Sequence, residues 1–197
     1  KVYFLLYNAD PTIGIDLPYT SRFSFLNRSH SVNPQLPIAE IANRVWQGRP
    51  DLVISHPTTV ELFTDNFHER GVVYEDPIAF ATGGEMQSKT LLRKISEVYP
   101  QSTVFDIYNT VETGLTAFQC PGEPGMQVNE NAIVLEEGKD VITATGERYV
   151  RPIFTNLFNR GTPLIRYDGI EDLLRLSPSQ TGCGFGETVI REIGRAS

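Results

Sequence analysis

The sequence predicts an α/β fold, a parallel or mixed sheet with crossover helices, followed by a β-rich subdomain. Three observations predict it. Between Pro37 and Tyr99, three segments carry apolar residues at helical period, and short apolar runs of strand length lie between them. After Glu112 the helical period vanishes, and apolar runs alternate with Gly, Pro and Asn. A chain of 197 residues that is 40% hydrophobic and 10% aromatic is also large enough to bury the core such a fold needs.

Taken in order, residues 1–36 form a strand plus loop region: an apolar run, KVYFLL, then a stretch rich in Pro, Asn and Ser. PIAEIANRVWQG is an amphipathic helix with Ile38, Ile41, Ala42 and Val45 on one face. DLVISHP is a short buried strand. Thr58 and Thr59 are expected to cap the helix TTVELFTDNFHER, whose inner side carries Val60, Phe63 and Phe67. PIAFAT is a second strand, SKTLLRKISEVY a helix with Leu91, Leu92, Ile95 and Val98 inward, and STVFDI a third strand ending at Ile107. Strands that alternate with helices are expected to run parallel, joined by crossovers. Beyond Glu112, the runs LTAFQ, MQVNENAIVLEE, DVITATG, RYVRPIFTNLF, TPLIRY, DLLRLSP and ETVIREI read as short strands. The expected organisation is therefore a strand and loop region at 1–36, an α/β layer at 37–112 and a β-rich subdomain at 113–197.

Charge narrows the function classes. The 24 acidic residues outnumber the 17 basic ones, and a net charge of -7 repels polyphosphate backbones and anionic bilayers, so no nucleic-acid or membrane partner is expected. No stretch approaches the roughly 18 unbroken apolar residues of a membrane span. KVYFLLYNADPTIG lacks the features of a signal peptide, which makes the cytoplasm the expected compartment. Cys120 and Cys183 are too few for a disulfide scaffold, and reduced thiols are expected.

Three clusters carry candidate chemistry. Thr82-Gly83-Gly84-Glu85 follows a parallel strand and precedes a helix, at the sheet edge where open α/β folds bind ligands; it is either a ligand loop or an ordinary strand-to-helix turn. The same stretch nearly spells a phosphate loop, but Ser88 stands where the motif before Lys89-Thr90 requires glycine. Asp106, Tyr108 and Glu112 lie at the end of the next strand and in the turn beyond it. A tyrosine ring stacks on a base and a carboxylate holds Mg²⁺ through its oxygens, although taken alone each is more often a half-buried aromatic or a solvated acid than a site residue. In the third cluster, PLIRYD, Arg166 sits within an apolar run and needs an anionic partner: an internal acid such as Glu147 or Asp168, or a phosphate or ribose neighbour. The string GCGFG, Gly182 to Gly186, reads as a hairpin turn.

In this order the clusters resemble the phenylacetate-CoA ligase and coenzyme F390 synthetase-like branch of the adenylate-forming enzymes, over about residues 50 to 197. ATGGE (81–85) resembles the family's TGGE loop, DIYNTVE (106–112) its D-x-Y-G-x-T-E segment, and RPIFTNLFNRGTPLIRYDGIED (151–172) its threonine-asparagine-leucine strand with P-L-I-R-Y and the ribose-binding acid. IGRAS (193–197) resembles the hinge to a small C-terminal domain. The resemblance implies ATP-dependent activation of a small carboxylic acid as an acyl-adenylate, then transfer to a thiol acceptor, CoA or a carrier protein. Gly83, Gly84 and Glu85 would line the adenine, Asp106 would approach its amino group, Tyr108 would stack on it with Asn109 beside, and Asp172 would hold the ribose. Glu112 would bind Mg²⁺ and, with Thr110 and Arg166, serve the reacting phosphate; Arg195 would lie near the nucleotide. A homodimer is also in keeping with the family.

Departures from the pattern qualify these roles. The family's glycine after the tyrosine is Asn109, its hydroxyl residue before the glutamate is Val111, and Thr110 comes one place early. Counting from Arg166 puts the ribose acid at Glu171; a one-residue insertion puts it at Asp172, which is preferred. Some relatives hold a structural Zn²⁺, but Gln127 and Phe185 occupy two of its ligand positions, so no zinc is expected. Residues 1–50 lack the family's Ser/Thr/Gly-rich phosphate loop, and the small domain would begin where the sequence stops. An incomplete piece of a larger enzyme, inactive alone, is therefore expected. Two alternatives stand beside it: a noncatalytic nucleotide-binding or interaction module of the same fold, and a P-loop NTPase using Lys89.

Overall fold

The computed structural model describes residues 2–5, 29–33, 35–120, 124–179 and 186–195. The chain divides into two compact units, Lys1–Phe105 and Asp106–Ser197.

The first unit contains β1 (Val2–Leu5), β2 (Ser29–Ser31), α1 (Ile38–Gly48), β3 (Leu52–Ser55), α2 (Pro57–Glu69), β4 (Ile78–Gly83) and α3 (Lys89–Val98). β5 (Ser102–Thr110) starts in this unit and carries the chain into the second. The order β2-β1-β3-β4 is parallel throughout. Parallel neighbours need a crossover, and α2 supplies it between β3 and β4. The helix faces expected from the sequence are buried at Ile41, Ala42, Val45, Val60, Phe63, Phe67, Leu91, Ile95 and Val98. Leu92 was expected with them but is 39% exposed, because the residues spaced three and four apart already fill the inward stripe of α3.

Aromatic rings dominate this core. Phe80 and Tyr99 meet edge to face at 5.0 Å, and Phe67 meets Tyr99 at 6.0 Å, the geometry favoured by ring quadrupoles. On the outside, Lys94 of α3 reaches Glu61 at 2.9 Å and Asp65 at 2.8 Å on α2. Those hydrogen bonds, Asp65 first, hold the lysine pKa above its usual value.

The start of α2 corrects the sequence expectation. Neither Thr58 nor Thr59 caps it; Pro57 takes the first helical position and His56 the cap, without a side-chain bond. Proline suits that place because its fixed φ is helical and its missing N–H would have had no intrahelical partner. By contrast α3 is capped by its own serine, Ser88, whose hydroxyl accepts from the Leu91 N–H at 3.0 Å.

The second unit is antiparallel. It contains β6 (Gly114–Gln119), β7 (Met126–Val128), β8 (Ile133–Ile142), β9 (Arg148–Asn156), β10 (Asp172–Pro178) and β11 (Thr188–Arg195), in the order β6-β7-β11-β10-β9-β8. Its core gathers Tyr108, Ala117, Val128, Ile133, Val150, Phe154, Ile170, Leu174 and Ile190. Three strand expectations change. β5 continues to Thr110, so Tyr108 and Asn109 lie on a strand and only 111–113 turn. MQVNENAIVLEE divides into β7 and the start of β8, which continues through DVI and is irregular between Glu137 and Asp140, where a Cβ on Gly138 would meet the Arg151 carbonyl at 2.6 Å. TPLIRY is not a strand: Pro163 has no N–H to donate and Arg166 adopts φ 51°, so its pairing is reduced to a bridge at Tyr167, which exchanges backbone bonds of 2.9 and 2.8 Å with Phe154, and the Leu164 carbonyl, which accepts from the Asn156 N–H at 2.9 Å.

Cys120 is disulfide-bonded, not the reduced thiol that the cysteine count suggested. Spatial approach decides such pairing, and a count does not report it. Cys183, Phe185 and most of the GCGFG string lie outside the described residues, as do Ala196 and Ser197. Among the described residues, no helix is long and apolar enough to cross a membrane.

The ring cluster makes Phe67 a test of the first core. Phe67→Ala is expected to lower unfolding free energy by about 3–5 kcal/mol, measured by urea denaturation; a loss below about 1 kcal/mol contradicts the packing.

Candidate functional site

The TGGE stretch is built from the end of β4 downward. Parallel pairing aligns Ser55 with Thr82, which brings His56 beside Gly83. The His56 ring nitrogen Nδ1 lies 3.0 Å from the Gly83 carbonyl oxygen. Gly84 follows at φ 80°, and a Cβ there would fall 2.7 Å from the same ring. Only glycine meets both constraints without strain. Glu85 then turns its carboxylate to Thr58, accepting from the N–H at 3.2 Å and from the hydroxyl. It thereby covers an N–H of the first turn of α2 that His56 leaves uncapped. Behind the loop, the Gln87 amide donates to the buried Thr82 hydroxyl at 2.6 Å. The loop is thus fastened by hydrogen bonds at Thr82, Gly83 and Glu85, leaving Glu85 engaged with the protein.

Lys89 is exposed at the start of α3. Ser88, where a phosphate loop would carry glycine, has its hydroxyl committed to Leu91.

In the second unit, Asp106 to Thr110 run along β5. The Asp106 backbone N–H donates to the Gln119 side chain at 3.2 Å. Tyr108 is 7% exposed, and its ring is packed within the core. This corrects the expected stacking platform, because a ring covered by core side chains does not present an open face to a base. Its hydroxyl donates to Asp172 Oδ2 at 2.8 Å across 64 residues of sequence. Burial first, then this bond, raises the phenol pKa, with a smaller push from Glu112. Tyr108 and the two predicted acids therefore share one electrostatic neighbourhood. Asp172 starts β10 directly opposite Arg195 of β11; the Arg195 side chain lies outside the described part of the structure. Glu171 is exposed.

The turn that carries Glu112 rests on threonine hydroxyls. Thr110 and Thr113 are joined at 2.8 Å, Thr113 and Thr116 at 2.6 Å, and the Thr113 N–H donates to Thr110 at 3.0 Å. From β9, the Asn156 amide donates to the Thr113 carbonyl at 2.9 Å. Asn109, Val111 and Glu112 are left exposed on this support. Arg166 is exposed outside any strand and pairs with Glu136 at 3.2 Å, not with Glu147 or Asp168. Among the described residues no group of three His, Cys, Asp or Glu is placed to hold a metal. A Mg²⁺ held by one carboxylate together with phosphate oxygens is still compatible with Glu112, because that ion retains waters and substrate oxygens as ligands.

The structure therefore brings Tyr108, Glu112, Asp172 and the backbone of Arg195 together, and in the first unit Gly83, Gly84 and Glu85 with α2. Sequence reasoning missed His56, Thr58, Thr113, Thr116 and Asn156, which hold these groups in place. Alignment of DLVIS with PIAFAT in a parallel pair would have placed His56; nothing local signals Asn156.

No family model matches the sequence, and no curated protein matches it. Among solved structures, 2-hydroxyisobutyryl-CoA ligase in the postadenylation state in complex with R3-HIB-AMP is similar over 96% of this chain and 42% of its own, with a TM-score of 0.69 and 15% identity. The same ligase with 2-HIB-AMP and CoA in the thioesterification state matches 98% of this chain at TM-score 0.68 and 16% identity. A long-chain-fatty-acid-CoA ligase from Archaeoglobus fulgidus matches 85% of this chain and 36% of its own, at TM-score 0.52 and 11% identity. The chain has the fold of part of an acyl-CoA ligase and spans 42–43% of the length of the 2-hydroxyisobutyryl-CoA ligase in these matches.

Gly84→Ala is expected to destabilise the protein by about 1–3 kcal/mol, through positive φ and the His56 clash. In the G84A/H56A double variant the clash is gone and part of that loss returns; unfolding free energies that simply add contradict the contact. The buried phenols give a second expectation. Unfolded tyrosine loses its proton near its usual pKa of 10.0, while folded Tyr108 keeps it to higher pH. Above pH 10.0 the unfolded state then binds fewer protons, and stability falls as pH rises. This alkaline slope is expected to be shallower in Y108F, read from urea unfolding at a series of pH values; an equal slope contradicts it.

Proposed function

We propose that this chain is part of an enzyme that activates a carboxylic acid with ATP as an acyl-adenylate and passes it to a thiol, CoA or a carrier protein, in the phenylacetate-CoA ligase branch of the adenylate-forming superfamily. The observation that carries the reading is the convergence of Tyr108, Asp172 and Glu112. These residues came from two separate motifs of the resemblance, and they meet through a 2.8 Å hydrogen bond and a shared electrostatic neighbourhood. Likeness to acyl-CoA ligase folds supports it.

In this reading Asp172, bonded to the Tyr108 hydroxyl, accepts from the ribose hydroxyls, with Asp106 near the amino group of the base and Asn109 at the strand edge. Glu112, exposed on a turn braced by Thr110, Thr113 and Thr116, supplies one carboxylate to Mg²⁺. When bound, the ion offsets charge on the phosphates as pyrophosphate departs. Arg166 and Arg195 serve the nucleotide through their positive charge. In the first unit Gly83 and Gly84 leave the end of β4 free of side chains, and Glu85 holds that loop to α2. An acyl acid and a thiol are the partners, and a homodimer belongs to the same proposal.

A second reading, a noncatalytic nucleotide-binding or interaction module, has one observation in its favour. Val111 is fully exposed where the family carries a hydroxyl, and the Thr110 hydroxyl is committed to Thr113. The two readings separate in two assays. Under the first, calorimetry finds AMP binding, and ATP binding that strengthens with Mg²⁺; E112Q removes the Mg²⁺ dependence and K89A changes neither. In the full-length protein, pyrophosphate exchange then appears with one or more of a panel of aryl and alkyl acids. Binding without exchange favours the noncatalytic module, whereas loss of binding in K89A favours phosphate-loop chemistry.

A further inference from the structure

In Tyr108 the ring and the hydroxyl belong to different environments. Its ring is packed in the second core with Ala117, Ile170 and Leu174, and its hydroxyl emerges at the start of β10 to donate to Asp172. The core needs only the ring, so the hydroxyl requires a separate explanation. Phe in its place would fill the same core volume and leave Asp172 without this donor.

We propose that the Tyr108 hydroxyl is a positioning group that orients the Asp172 carboxylate for a vicinal diol, and so sets selectivity for ribonucleotides over nucleotides lacking those hydroxyls. This deepening rests on the nucleotide reading above. The geometry supports it in three steps. An ionised carboxylate offers about four lone-pair sites on two oxygens. The phenol occupies one site on Oδ2 and fixes the carboxylate plane; among the described residues Oδ1 takes no hydrogen bond. A vicinal diol donates two O–H groups about as far apart as two carboxylate oxygens, so a fixed plane presents both acceptors without a rotamer search.

The proton stays where this role requires it. The tyrosine is immobilised by its buried ring, and burial followed by the Asp172 bond raises its pKa, so the phenol remains the donor through neutral and mildly alkaline pH. Asp172 in turn is half-buried at the strand start, held by register against Arg195. Glu171, the alternative acid, is exposed and has no such partner among the described residues.

The test compares binding of AMP and 2′,3′-dideoxy-AMP by calorimetry in the unaltered protein, Y108F, D172N and the double variant. The unaltered protein is expected to prefer AMP. In Y108F that preference falls about tenfold through weaker AMP binding, the size of one lost hydrogen bond to a charged group, since dideoxy-AMP offers Asp172 no diol to accept from. D172N loses the preference, and the double variant loses no more than D172N alone, since the hydroxyl acts only through the acid. A preference undiminished in Y108F, or retained in D172N, overturns the assignment while leaving AMP binding intact. Absence of AMP binding by the unaltered protein overturns the nucleotide reading and this assignment with it. Retained dideoxy-AMP binding in Y108F excludes a simple folding defect.

Discussion

Backbone groups at the ends of strands and helices have no ladder partner, and an unpaired buried group costs free energy comparable to a lost hydrogen bond. In this chain side chains from distant parts of the sequence meet that demand, and the candidate residues of each unit are arranged around where they do so. The Gly83 carbonyl is met by His56, an N–H of α2 by Glu85, and the Thr113 carbonyl by Asn156. Each bond fixes a loop or turn that would otherwise sample many conformations. The residues proposed to meet ligand stand on these fixed segments.

One consequence is that the conspicuous polar residues are not all free to act on a ligand. Glu85 is drawn inward to α2, and Thr110 is spent on the turn beneath Glu112. Glu112 itself, and Asn109 beside Tyr108, are left facing water. A division of labour follows within each motif: the loop in the first unit contributes backbone and the absence of side chains, while the turn in the second contributes one carboxylate on a rigid support. This is how a short motif combines rigidity with access.

The Tyr108–Asp172 pair illustrates a different economy. A buried phenol must find an acceptor, and an acid at a strand start gains from a donor. Joining them satisfies both while tying β5 to β10 within the second unit. The threonine ladder Thr110, Thr113 and Thr116 does the same for the adjacent hairpin, where small hydroxyls pack without leaving polar atoms unpaired.

By itself the sequence determined the alternation of helix and strand through Phe105, because helical period and strand-length apolar runs are local properties. The buried faces of α1, α2 and α3 were legible for that reason, as was the loss of helices after Glu112. The glycines of TGGE and the ordered motifs also marked the candidate residues without any structure. Other features were decided only by tertiary structure. β5 runs through Tyr108 to Thr110 because β6 pairs with it, a gain that residues 108–110 do not advertise. TPLIRY looks like a strand but lacks a donor at Pro163 and a strand conformation at Arg166. Cys120 is bonded, and Arg166 finds Glu136 instead of the acids near it in sequence. The physical reason is common to all of them: period and propensity are set by neighbours in the chain, whereas pairing, bridging and positioning depend on groups brought together across tens of residues.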